Sequence, residues 1–228
     1  MAVVDTKQIR NLVLLGHGGC GKTTFLEAAL FQTGAISKQG RVDDGNTVSD
    51  YDKMEIDKGY SINMTLVPVE WKETKLNFID TPGFFDFVGE VNAALRAAGA
   101  AVIMVDAGSG IQVGTETAWQ ACEKASAPRM FIISRRDKDE FDFDATLESL
   151  RTKFGQKVVR LDYPLGDELS DELTEAIAES DDELMEKYFD GEPFTKEEIS
   201  TGLRKGIASG SIVPVCPEPF TISGKVDA

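Results

Sequence analysis

The sequence predicts an α/β domain in which a mostly parallel sheet, with one antiparallel edge strand, lies between two layers of helices. Three observations carry that expectation. Apolar runs of strand length alternate with stretches of helix length through most of the 228 residues, which is the rhythm of βαβ units. The first run ends in a glycine-rich turn that opens directly into a helical pattern. One pair of runs is joined by only three residues, which reads as a hairpin and therefore as one antiparallel pair.

Taken in order, residues 11–15 are a short apolar run closed by Gly16, and residues 23–31 carry apolar side chains at helical spacing. Residues 34–59 are polar, rich in Gly, Asp and Ser, and lack an amphipathic pattern. A long, mobile connection of the kind that often carries function is expected there. Residues 61–71 and 75–80 are the two runs joined by Lys72, Glu73 and Thr74, and Pro68, with no N–H to donate, favours the sheet edge for the first. Residues 87–98 are rich in helix formers, and residues 100–106 are a continuous apolar run suited to a buried parallel strand. A helix over 112–125, a strand over 130–133, a helix over 144–154 and a strand over 157–161 follow. Helices over 167–189 and 195–208 then lead to a last strand over 211–215. No repeat or linker demands a second domain, so residues 1–228 are expected to form a single domain, with 218–228 a disordered tail.

With 42% hydrophobic residues the chain supports one substantial core. Its longest apolar stretches, such as 97–105, fall far short of the roughly 20 residues a membrane span needs, and no signal-peptide hydrophobic region opens the chain. A cytoplasmic protein with no membrane partner is expected. Cys20, Cys122 and Cys216 are widely separated and His17 is the only histidine, which argues against structural zinc and a disulfide framework. The net charge of −15, concentrated over 167–198, argues against binding free nucleic acid. That segment reads as a solvated helical surface or as an acidic patch for a basic partner.

Gly16-His17-Gly18-Gly19-Cys20-Gly21-Lys22-Thr23 matches G-x-x-x-x-G-K-[ST] between a strand pattern and a helix pattern, the context a phosphate-binding loop requires. Gly18, Gly19 and Gly21 let the backbone curl with its N–H groups inward, and Cys20 lies among them. The helix N-terminus adds partial positive charge, Lys22 a full one. The Thr23 hydroxyl is placed to ligate Mg²⁺, and Thr24 to reach the α-phosphate side. Cys20 reads as a tolerated small residue or as a thiol made more acidic by Lys22, and His17 as a loop residue or a catalytic one. Asp80-Thr81-Pro82-Gly83 closes a second strand at the same sheet edge, so Asp80 is a candidate for holding an Mg²⁺-bound water, and the side-chain-free Gly83 for approaching a γ-phosphate. A glycine-rich turn that binds nothing and a plain strand-end turn are the competing readings.

These residues resemble the G domain of translational GTPases, most closely elongation factor G and its divergent paralogues. The likeness rests on GHGGCGKTT at Gly16, DKGYSINMTL at Asp57, IDTPGFFDFVGEV at Ile79, VDAGSGIQVGTETAW at Val105, PRMFIISRRDKDEFDF at Pro128 and DDELMEKYFDGE at Asp181. It implies binding of Mg²⁺ with GTP or GDP, a possible ribosome partner, and a first-third fragment of a larger factor, expected to be monomeric. It also implies an internally shortened chain, natural or engineered, in which Tyr163 to Gly166 bridge the place of an inserted subdomain. By the resemblance, Ser61 takes the place of a metal-ligating threonine. Phe84 stands where the family's DTPGH pattern has a water-orienting histidine, so slow hydrolysis is implied. The family's Asn-Lys-x-Asp becomes Ser134-Arg135-Arg136-Asp137, which keeps the base-pairing carboxylate of Asp137, offers Arg135 as a flat cover for the base or as an exposed loop charge, and loses an amide. The later Ser-Ala motif has no clear equivalent in residues 216–220. A switch module that does not turn nucleotide over, and a P-loop scaffold of altered base preference, are the alternatives.

Overall fold

The computed structural model describes residues 5–134, 142–162 and 169–217. Seven strands form one sheet: β1 (Ile9–Gly16), β2 (Thr65–Trp71), β3 (Thr74–Asp80), β4 (Ala100–Asp106), β5 (Arg129–Ser134), β6 (Val158–Arg160) and β7 (Val213–Pro217), in the order β2-β3-β1-β4-β5-β7-β6. Only the β2–β3 pair is antiparallel, and β2 is the edge strand that Pro68 favours. The parallel strands β4 and β5 are buried on both faces, which is why they read as unbroken apolar runs.

The helices are α1 (Lys22–Gln32), α2 (Lys53–Lys58), α3 (Val88–Ala97), α4 (Val113–Ala125), α5 (Phe143–Phe154), α6 (Asp171–Ala178), α7 (Asp182–Phe189) and α8 (Lys196–Ser209). Side-chain alternation along the strands sorts them into layers. Ala101, Ile103 and Val105 of β4 pack with Leu95, Trp119 and Leu150 of α3, α4 and α5. Val102 and Met104 pack on the other face with Phe25, Leu26 and Leu30 of α1. Val158 belongs to the α3–α5 face, so its neighbour Val159, packed with Leu173, Ile177 and Leu184, places α6 and α7 on the α1 side.

The structure departs from the sequence expectation in four places. The connection over 34–59 is not patternless: it holds a short 3-10 turn, Val42–Asp44, and α2, whose start is fixed by an Asp52–Glu55 capping box and whose end is turned by Gly59 at φ +69°. Six residues are too few to show a helical period. The stretch expected as one helix over 167–189 is two, because Ser180 and Asp181 interrupt it and the Asp181 carboxylate accepts from Glu183 N at 3.1 Å, starting α7 afresh. Residues 61–64 precede β2 rather than extend it, since Glu55 Oε1 takes the N–H groups of Ile62 and Asn63 at 2.9 and 3.0 Å. Finally, β7 begins two residues later than expected, at Val213, because Gly210 at φ +77° ends α8 and turns the chain. The bridge over 163–166 and the tail over 218–228 lie outside the described residues.

Candidate functional site

The register of β1 against β3 pairs Leu14 with Asp80, so the loop after β1 and the turn after β3 emerge side by side at one sheet edge. The loop ends at Gly21, whose φ of +98° suits glycine and which caps α1 without a side-chain acceptor. Lys22 is buried, and its Nζ donates to Gly16 O at 3.1 Å and His17 O at 3.0 Å, so the ammonium sits inside the curl of the loop. Gly83 closes the curl from the other side. A Cβ there would lie 2.6 Å from Gly18 N and 2.7 Å from Lys22 Nζ, so only a residue without a side chain fits. Cys20 is buried and burial pushes its thiol up, against the opposing effect of Lys22, which corrects the reading of an acidified thiol. Gly19 and Thr24 are exposed at the rim.

Five oxygen-bearing side chains form one connected group that begins at Thr23, the residue after Lys22. Thr23 Oγ1 donates to Asp80 Oδ2 at 2.8 Å and lies 3.5 Å from Ser61 Oγ. Ser49 Oγ donates to the same Asp80 oxygen at 3.0 Å, and Ser61 Oγ donates to Asp50 Oδ1 at 2.7 Å. Asp80 Oδ1 is buried with no hydrogen-bond partner. Burial pushes the Asp80 carboxyl up to about 6, opposed by Lys22, Thr23 and Ser49 and reinforced by Asp50. A buried carboxylate with one free oxygen, beside two hydroxyls, is the environment a hard divalent cation relieves. Among the described residues no three acidic, histidine or cysteine side chains cluster into a metal cage.

The model of the elongation factor Tu GTP binding domain family matches residues 7–217. The chain belongs to that family. It is 34% identical over 243 residues to an elongation factor G-like protein of Mycobacterium tuberculosis, an alignment covering 92% of this chain and 34% of that protein. Elongation factor G of Thermotoga maritima is 32% identical over 252 residues, covering 93% and 36%. A crystal structure of a Thermus thermophilus protein superposes with a TM-score of 0.83 at 33% identity, covering 92% of this chain and 37% of that one. The chain thus spans about a third of the length of the relatives it matches.

In this member of the GTP-binding-domain family, Phe84 does not swing away from the loop. A Cβ on Gly18 would lie 3.2 Å from Phe84 Cζ, and the Phe84 ring lies 4.7 Å from that of Tyr60, which precedes Ser61. Two aromatic rings therefore join the segment after β3 to the segment before β2 across the mouth of the loop. His17 turns instead toward α4, where a Cβ on Gly114 would meet its Nδ1 at 2.8 Å, an atom buried without a partner. That places its ring against a helix rather than among the Thr23, Ser61 and Asp80 oxygens.

On the side expected to read the base, Ser134 ends β5 and is buried, and its Oγ donates to Cys20 O at 2.7 Å. Arg135 and Asp137 lie outside the described residues, as does most of the stretch expected to replace the Ser-Ala motif. The sequence reading missed Ser49, Asp50, Glu27 and Tyr60. Glu27, buried on α1, accepts from Gly40 N at 2.9 Å and Val48 N at 2.5 Å, tying the 40–48 loop to the helix that starts at Lys22. Its signal was available: a glutamate at an inward position of an otherwise apolar helix face requires partners.

Proposed function

We propose that the chain is the guanine-nucleotide-binding domain of an elongation factor G-like GTPase, binding GTP and GDP with Mg²⁺ and hydrolysing GTP slowly. The observation that carries this reading is the convergence of Lys22 Nζ, Gly18 N and the backbone of Gly83 on one small space, together with the buried, unpartnered Oδ1 of Asp80 on the same turn. Thr23, Ser61 and Asp80 would hold the ion, which would supply positive charge to the phosphate oxygens. The N–H groups of Gly18, Gly19, Cys20 and Gly21 and the Lys22 ammonium would bind the phosphates, and the Gly83 N–H would bind the γ-phosphate and carry its presence into α3. Thr24 would line the α-phosphate side, with Arg135 and Asp137 meeting the base. Catalysis would then rest on charge held in place by Lys22 and the loop amides rather than on proton transfer, since Phe84 has no group to orient water. A ribosome partner, a cytoplasmic setting and a monomeric state complete the reading, supported by the family.

Calorimetric titration with GDP and Mg²⁺, followed by single-turnover GTP hydrolysis, tests it. Association that Lys22→Ala abolishes is expected. No heat at millimolar nucleotide with folded protein would overturn the proposal. A second reading, a switch that binds nucleotide without turning it over, is favoured by the Phe84 ring lying against Gly18. Phe84→His separates the two: at least about a ten-fold gain in hydrolysis supports the enzyme, while an unchanged rate with intact binding supports the switch.

A further inference from the structure

Within α2 only Glu55 is buried, at 2% exposed, while Met54 and Ile56 stand 59% and 40% exposed. A helix that keeps its carboxylate inside and its larger apolar side chains at the surface is anchored chiefly by polar contacts, and a buried carboxylate has to be met by donors. The donors are backbone N–H groups. Glu55 Oε1 accepts from Ile62 N at 2.9 Å and from Asn63 N at 3.0 Å, and Oε2 accepts from Asp52 N at 3.3 Å. Met64 N, next along the chain, donates at 2.9 Å to Oε2 of Glu90, on the first turn of α3. Three consecutive amides ahead of the first ladder pair, Thr65 with Asp80, are thus taken by carboxylates, and those of Ile62 and Asn63 share a single oxygen.

Ser61 stands immediately before this run. Its Oγ lies 3.5 Å from Thr23 Oγ1 and donates to Asp50 Oδ1 at 2.7 Å. A serine side chain turns about one torsion among a few staggered positions, so the reach of Oγ is set by where the backbone puts Cα. The peptide that leaves Ser61 is planar and carries the N–H of Ile62, so drawing that N–H and the next to one oxygen fixes the peptide relative to α2. We infer that Glu55 is a positioning residue for the Ser61 hydroxyl: by holding the amides of Ile62 and Asn63 it keeps Oγ within reach of an ion beside Thr23 and Asp80. This deepens the proposed function and rests on its assignment of Ser61 to the ion. Lys22 and the loop amides would grip the phosphates from the β1–α1 side of the site, so Glu55 acts on what the ion adds to binding and not on the binding of phosphate itself.

The test compares, by calorimetry on the whole chain, the affinity for a non-hydrolysable GTP analogue in Mg²⁺ and in EDTA; the ratio is the tightening that the ion confers. Glu55→Ala is expected to reduce that ratio about ten-fold or more, as removal of a group that orients a metal ligand does, with the affinity in EDTA unchanged. An unchanged ratio, or an equal loss with and without the ion, would overturn the inference. Ser61→Ala is expected to reduce the ratio likewise, and adding Glu55→Ala to it to change the ratio by no more than about two-fold, since nothing is left to position. Additive losses would overturn the inference. Glu55→Gln separates placement from charge: its carbonyl still accepts from both amides, though more weakly, so a ratio within about three-fold of wild type is expected. A loss as deep as that of Glu55→Ala would assign the effect to charge and overturn the inference. In the nucleotide-free protein, hydrogen exchange at Ile62 and Asn63 is expected to accelerate in Glu55→Ala and not in Ser61→Ala; acceleration throughout the sheet would make Glu55 a support of the fold and overturn its assignment. A ratio that survives Ser61→Ala, or no association of the wild type under either condition, would instead overturn the reading beneath, in which Ser61 holds the ion of a bound nucleotide.

Discussion

Glu27 shows how a single buried acid organises the site from a distance. Its two carboxylate oxygens each take one loop N–H, from Gly40 and Val48, and the residue is 1% exposed. Glu27→Gln keeps the shape but leaves one of the two N–H groups facing an amide donor, and a stranded buried N–H costs roughly 1–3 kcal/mol. The loop has an alternative in water, so the expected outcome is local: hydrogen exchange of the Gly40 or Val48 amide accelerates by about ten-fold or more, with little change in global melting. Uniform acceleration across the sheet would show that Glu27 supports the whole fold instead. The convergence of the two loops of the candidate site was legible in the sequence because the residues of each are contiguous, Gly16 through Thr23 and Asp80 through Gly83. Ser49 and Asp50 were not, because each acts through a distant partner, 31 positions from Ser49 to Asp80 and 11 from Asp50 to Ser61, and Glu27 announces only that it needs partners, not that Gly40 and Val48 supply them. No local pattern encodes such a pairing.

At the scale of elements, α8 is held by its first turn and by its glycines. Thr195 N donates to Glu198 Oε2 at 2.6 Å, Lys187 Nζ donates to both Glu198 oxygens at 3.0 and 2.9 Å, and the Glu198 carboxyl is held down at about 2, first by the Thr195 backbone N–H and then by Lys187. A lowered native value means that this stabilisation is present above the ordinary glutamate range and is lost as pH falls toward 2. The melting-temperature difference between wild type and Glu198→Gln is therefore expected to be largest near neutrality and to shrink steadily below about pH 4.5; a constant difference would remove the charge from the explanation. Gly206 faces Ile212 so closely that a Cβ would lie 2.4 Å from its Cδ1 and 2.6 Å from its Cγ1, and Ile212 is itself buried. Alanine gains about 1 kcal/mol in helix propensity but forces overpacking of about 1–3 kcal/mol. The branched, enclosed partner tips the balance, so Gly206→Ala is expected to lower the urea midpoint. Element type was readable for every long periodic segment. The split between α6 and α7 was hidden because Ser180 and Asp181 serve equally as exposed helix residues and as caps, and only the fold decides between them.

Across the whole molecule, the candidate site is assembled from segments far apart in the chain, the ends of β1 and β3 and the 49–61 stretch, so a ligand bound there should stabilise the fold as a unit. At one hundred times its dissociation constant, a nucleotide bound only by the native state adds about 2.7 kcal/mol, or roughly 5–10 °C in melting temperature for a chain of this size. Differential scanning fluorimetry with GDP and Mg²⁺ is expected to show that shift in the wild type and none in Lys22→Ala, and a shift that persists without the ammonium would point to binding elsewhere. The order of the sheet followed from the chain only in part: the hairpin and its edge position were legible through Pro68, whereas the insertion of β7 between β5 and β6 carried no local mark. The indole of Trp119, buried in a cluster in which it, Phe131 and Phe154 all touch one another and in which Arg129 and Lys157 lie over it, has a practical consequence. Trp71, by contrast, stands half in solvent at the hairpin, so acrylamide should quench one emitter and spare the other. The protein thus carries its own pair of lamps, one reporting the rim and the other staying dark to the quencher until the interior opens.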